Sequence, residues 1–302
     1  MAALGCVGVA LDSRELPSRR TRARAGAGAW AGYGSGVSLA VVFLPDTALL
    51  VPGAAGRADP AAGLRDAAVA ALADLADDGT GAADRGRVLV IAPAHRDRFL
   101  PHPVAPGLGA AGLDLPDVAP AAVDRAPRAD VPASVALVLL RVAGVDAPVD
   151  VLEVDRAAAD VPDQPLPEPA RPVVPDSPRP VRPDAPRAVV VVGSLSARHG
   201  PEAPVADDPR APAADDALLA ALADGPAALA RALDDLGADG ARDLAVSGRS
   251  PWRAALALLP ADATAESSTV HAEVVAGAQH AVAAWRLAPR TPCTPQHPEE
   301  PR

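Results

Sequence analysis

The sequence contains no lysine and no asparagine, and isoleucine occurs once, as Ile91. Aromatic residues make up only 2% of the chain, although hydrophobic residues make up 49%. A core built from such a sequence must be closed by Ala and Val, with Leu as the main filler. All the positive charge is arginine, dispersed among Asp and Glu, and the net charge is −10. That balance lacks the basic face needed to neutralise phosphates, and so excludes a general nucleic-acid binder. The only cysteines, Cys6 and Cys293, lie near opposite ends. They provide neither a metal-ligand spacing nor a disulfide framework, which fits a reducing cytoplasm. Runs of about 18 apolar residues are absent, so no membrane-spanning helix is expected.

Proline, by contrast, is plentiful, with 35 residues in clusters. Between residues 162 and 186 a proline recurs every few positions. That spacing forbids a helix or a central strand and favours extended polyproline conformation. The stretch reads as a solvated insertion, with docking to a partner's aromatic groove as the alternative. Residues 1–36 are rich in Arg, Gly and Ala without a hydrophobic period. They read as a disordered or non-native extension, with translation expected to start near Val37. Five arginines from Arg14 to Arg24 precede an apolar stretch at 37–44, in outline an export signal. The glycine-rich spacer between them is wrong for that signal, and 37–44 reads instead as the first core strand. The glycines of the spacer precede that strand, whereas a dinucleotide fingerprint follows one.

A short continuous apolar run marks a parallel strand at residues 39–44, and residues 87–92, 149–154 and 188–192 read as further strands. A helix is expected to begin with Asp59 as N-cap and Pro60 at its first position, its apolar face carried by Leu64, Ala68, Leu72 and Leu75. Further helices are expected at 134–142, 213–223 and 227–236, and another from Ser250 with Pro251 at its first position. Residues 270–275 and 280–287 read as a closing strand pair around Gly277, and 288–302 as a disordered tail. Strands alternating with helices predict one α/β domain over 37–287, with a mainly parallel central sheet flanked by helices.

Four pieces in order carry a family resemblance. Residues 40–52 (AVVFLPDTALLVP) form a strand and a proline-flanked loop. Residues 142–155 (VAGVDAPVDVLEVD) run from helix to strand. Residues 189–196 (VVVVGSLS) lead from a strand into a Gly-x-x-Ser loop, and residues 247–252 (SGRSPW) open a helix. Together they resemble the class III extradiol ring-cleavage dioxygenase superfamily, of the catalytic B-subunit type and within a divergent group from GC-rich bacteria. The resemblance implies oxygen insertion into a catechol ring. It also implies Fe(II) held by two His and one carboxylate with open positions, and a separate histidine as acid and base. All of these would sit in loops at strand carboxyl ends.

The sequence departs from that pattern where the chemistry would lie. Pro45 is followed by Asp46 rather than His, and Pro93 by Ala94, with His95 one residue further on. Ala197 occupies the place of the catalytic histidine, with His199 two residues later. The candidate metal ligands are therefore Asp46 and His95, completed by His199, His271 or Glu273, and the candidate acid/base is His199. For each there is a plainer alternative. Asp46 suits a turn, His95 and His199 suit solvated loops, and His271 and His280 suit satisfied strand positions. Ser194 and Ser196 have neither phosphate-loop spacing nor a nucleophile elbow.

Three functions follow. The first is an enzyme-derived domain with a degenerate metal and acid/base site, acting by binding a small aromatic ligand or by scaffolding, without a resident cofactor. The second is an Fe(II)-dependent dioxygenase or related oxidoreductase on a catechol-like substrate, with a rearranged site. The third is a metal-assisted hydrolase using Asp46 and His95. Neither nucleic acid nor membrane is an expected partner, whereas a second copy of the chain is.

Overall fold

The computed structural model describes residues 39–75, 86–113, 126–157, 186–260 and 262–288. The expected extension at 1–36, the proline-rich insertion apart from Pro186, and the tail beyond Ala288 lie outside these residues.

Among the described residues seven strands are formed: β1 (Leu39–Leu44), β2 (Val88–Ala94), β3 (Arg98–Leu100), β4 (Val149–Asp155), β5 (Ala188–Val192), β6 (Ala265–Val275) and β7 (Ala278–Leu287). Five helices accompany them: α1 (Ala62–Ala73), α2 (Val131–Val142), α3 (Ala211–Asp224), α4 (Pro226–Asp243) and α5 (Arg249–Leu258). The strands make one sheet in the order β3-β4-β2-β5-β1-β7-β6.

Alternation along each central strand assigns the layers. On β1, Leu39, Val41 and Phe43 pack with residues of α3, α4 and α5. Val42 and Leu44 point the other way, into the cluster containing Leu64 and Leu72 of α1 and Leu139 of α2. Strand β5 divides likewise, Val189 and Val191 to one side and Val190 and Val192 to the other. A strand buried on both faces needs a continuous run of small apolar residues, which is why these strands were visible as Val-rich runs. Three buried aromatic residues meet in the layer of α3, α4 and α5. Phe43 meets Trp252 edge-on at 6.0 Å and Trp285 at 4.5 Å between ring centroids.

The α/β class is as expected, but the sheet is mixed rather than mainly parallel. Parallel pairing joins β4, β2, β5 and β1. Antiparallel pairing joins β3 to β4, β7 to β1 and β6 to β7. For β6 and β7 loop length decides this, because a parallel return needs a long crossover. Between β6 and β7 there are only Ala276 and Gly277, with φ of 51° and 71°. Two central residues with positive φ make the tight turn that closes a right-twisted hairpin.

Strand β3 was not expected at all, because Arg98 makes its sequence look like a surface loop. In the fold Arg98 donates from Nε to Glu153 Oε2 at 2.5 Å, and the Glu153 side chain is fully buried. Glu153 also accepts from the backbone N–H of Asp130 at 2.6 Å.

Helix α1 corrects a second expectation. It starts at Ala62, with Ala61 rather than Asp59 at its N-cap. The Asp59 carboxylate is held instead by both Arg65 terminal nitrogens, at 2.6 and 2.5 Å. Arg65 also donates to the carbonyls of Leu49 and Leu50, so Asp59 helps to fasten the loop after β1 onto α1. Helix α5 opens at Arg249 with Gly248 before it, not with Ser250 as cap. Helix α4 continues beyond the expected end at Leu236 and is broken at the next residue, where Gly237 takes φ 65°.

Candidate functional site

Strand register brings one set of polar residues together. Leu44 of β1 lies beside Val192 of β5 in parallel register. Two residues further along each chain stand Asp46 and Ser194. Phe43 of β1 lies beside Ala283 of β7 in antiparallel register. Three residues beyond Phe43, and three before Ala283, stand Asp46 and His280. The three side chains therefore meet at the carboxyl ends of β1 and β5, where open α/β sheets form their binding crevices.

The Ser194 hydroxyl is the centre of this group. It donates to Asp46 Oδ1 at 2.5 Å and lies 3.0 Å from His280 Nδ1. The Asp46 backbone N–H approaches the same oxygen at 3.3 Å. A hydroxyl has one proton to give. With that proton directed at Asp46, His280 Nδ1 must be the protonated nitrogen and Nε2 the acceptor of the neutral ring. His280 and Ser194 are both buried, whereas Asp46 is half-buried. Burial pushes the His280 imidazole below its ordinary value, and the Asp46 and Glu273 carboxylates oppose that shift.

The SGRSPW segment holds this loop in place. Ser247 Oγ accepts from the Ser194 N–H at 2.8 Å, and the Gly248 N–H donates to the Ser194 carbonyl at 3.0 Å. The two backbones touch at Gly193 and Gly248. A Cβ on Gly193 would lie 2.4 Å from Gly248 Cα, so no larger residue fits there.

A second polar group lies on the far side of the same loop. Asp215 of α3 accepts from the Ser196 N–H at 3.0 Å, and its Oδ2 lies 2.6 Å from His199 Nε2. Ser196 Oγ donates to the Leu244 carbonyl at 2.7 Å. Burial raises the Asp215 carboxyl above its ordinary range, against the lowering effect of His199 and the Ser196 N–H.

The remaining candidates are more scattered. His95 is exposed in the turn between β2 and β3. Because β5 lies between β2 and β1, the strands carrying His95 and Asp46 are about 10 Å apart. His271 is exposed on β6, with Nε2 3.9 Å from Glu273 Oε2. Among the described residues, no three His, Cys, Asp or Glu side chains come together as a group that could hold a metal ion. Asp46 and His95 thus do not join a third ligand there, and His199 turns its Nε2 to Asp215.

His280 is a buried strand histidine satisfied by a hydrogen bond, as the sequence suggested, but its partner Ser194, weighed there as an anion-binding residue or nucleophile, was not foreseen. Knowing that β7 runs antiparallel beside β1 would have exposed the pairing. The arrangement is not a nucleophilic relay. In a Ser-His-Asp relay the imidazole stands between hydroxyl and carboxylate, whereas here the hydroxyl stands between the other two. Chemically the group offers a half-buried carboxylate and a neutral imidazole at the rim of the sheet. Comparison of the sequence with protein-family models and with curated proteins finds no match.

Proposed function

We propose that the chain is a domain of the class III extradiol dioxygenase type, B-subunit-like, in which binding or scaffolding has replaced ring cleavage. One arrangement chiefly supports this reading: Asp46, at the place of the first metal ligand in the resemblance, is engaged by the Ser194 hydroxyl beside His280. Ala197 adds to it, because a methyl group cannot move the proton that ring cleavage requires. The Fe(II) that the resemblance implies would need two histidines and a carboxylate with open positions. The described residues do not fit that set, since no three candidate ligands converge.

The chemistry left at the rim is recognition. The second carboxylate oxygen of Asp46 can accept a hydroxyl proton, and His280 Nε2 is a second acceptor. A small phenolic molecule is the ligand class that matches two acceptors at the carboxyl ends of apolar strands. The test is metal analysis of protein purified without chelator, followed by oxygen uptake with catechol after Fe(II) is added. Iron well below one per chain and no uptake are expected. Stoichiometric iron, with uptake abolished by Asp46→Ala, would overturn the proposal in favour of a rearranged Fe(II) dioxygenase.

A further inference from the structure

The two edges of the sheet are treated differently by the sequence. At one edge, β3 is three residues long, begins with the ion-paired Arg98 and is followed by Pro101 and Pro103. Short length, charge and proline are how proteins protect an edge from strand addition. At the other edge, β6 is 11 residues long and has no arginine and no proline. Among the described residues its outer side pairs with no strand. Val274 stands 49% exposed on it, one of the few large apolar side chains left in water.

The faces of β6 can be assigned. Val275 packs in the layer of α1 and α2, and the Glu273 carboxylate lies against Gly63 of α1. Val270 packs against the opposite layer. By alternation, Thr269, His271 and Glu273 face the α1 side, and Val270, Ala272 and Val274 face the other.

We infer that β6 pairs antiparallel with β6 of a second copy of this chain, about a two-fold axis through Ala272. A two-fold axis perpendicular to the sheet keeps each side chain on its own face, so opposed residues must share a face. In the register centred on Ala272, His271 of each copy lies opposite Glu273 of the other. On the other face, Val270 of each copy covers Val274 of the other. Pairing of imidazole with carboxylate on one face and apolar cover on the other thus select the same register. Shifting the centre to Glu273 would set the two Glu273 carboxylates against each other. Shifting it to His271 would put Val274 opposite Ser268. The ladder of backbone hydrogen bonds supplies the attraction, as in other strand-addition interfaces.

The test is sedimentation of the full chain over a concentration series, with light scattering for mass. A dimer that dissociates on dilution is expected. His271→Glu sets two like-charged pairs across the axis and should weaken the dimer about tenfold. Adding Glu273→Arg to that variant reverses both pairs and should restore association. His271 is exposed, and a folded circular-dichroism spectrum confirms that the variants keep the fold. The inference is overturned if the unaltered chain is monomeric at every concentration. It is also overturned if His271→Glu leaves the dimer unchanged, or if the double variant fails to recover.

Discussion

The loop leaving β5 serves two polar centres two residues apart, and they are wired in opposite ways. Around Ser194, a hydroxyl is the hub and joins three strand ends. Around Ser196, a carboxylate is the hub, and Asp215 ties the loop to α3 through His199 and a backbone N–H. The first centre keeps a half-buried carboxylate and an imidazole nitrogen for other partners. The second spends its acceptors on the protein itself. On the function proposed above, the first would serve recognition while the second holds the loop, even though His199 lies closer in sequence to the place where the resemblance calls for a histidine.

The largest expected effect separates the two hubs. Asp215→Ala leaves the buried Ser196 N–H and the His199 ring without their acceptor. It should lower stability by about 3 kcal/mol in urea unfolding. Asp215→Asn keeps an acceptor and removes a charge whose pKa is already raised by burial, so its cost should be about 1 kcal/mol. Equal losses in the two variants would mean that charge, rather than hydrogen bonding, holds the loop.

Ser194→Ala should cost less, about 1.5 kcal/mol, because the buried His280 Nδ1–H loses its partner while half-buried Asp46, which loses both its carboxylate donor and the acceptor of its N–H, can turn to water. A loss larger than that of Asp215→Ala would reverse the assignment of structural and recognition centres.

The smallest effect is a pH dependence. His280 has an ordinary value of 6.5 and is pushed lower in the fold, with Ser194, Asp46 and Glu273 as the polar groups around it. Below pH 6.5 the unfolded chain binds a proton that the folded chain still refuses, so stability falls as pH drops through that window. The slope from this one group cannot exceed about 1.4 kcal/mol per pH unit. His280→Gln should flatten the melting temperature against pH between 6.5 and the lowered folded value. An unchanged slope would show that His280 is not held neutral.

Much of the fold was legible because its cause is local. Residues 39–44 and 188–192 are continuous small apolar runs, and they became central strands. Gly277 marked the hairpin, and its positive φ closes the turn. Strand β3 was illegible because Arg98 looks solvated until Glu153, 55 residues away, is known to face it. Asp59 looked like a helix cap because the rule for caps sees only neighbours, and Arg65 outcompetes the helix N–H groups for its carboxylate.

The candidate site divides in the same way. The sequence by itself determined that polar residues would follow the carboxyl ends of β1 and β5, because apolar runs must end in loops that carry Asp46 and Ser194. It also determined that Ala197 stands where the resemblance calls for a histidine. Only the tertiary structure decided which partner each polar group would have. The antiparallel placement of β7 against β1 put His280 beside Ser194, and the position of α3 gave His199 to Asp215. A side chain's neighbours along the chain set its conformation, but its hydrogen-bond partners are set by register and layer packing, which bring together Asp46 and Ser194, 148 positions apart.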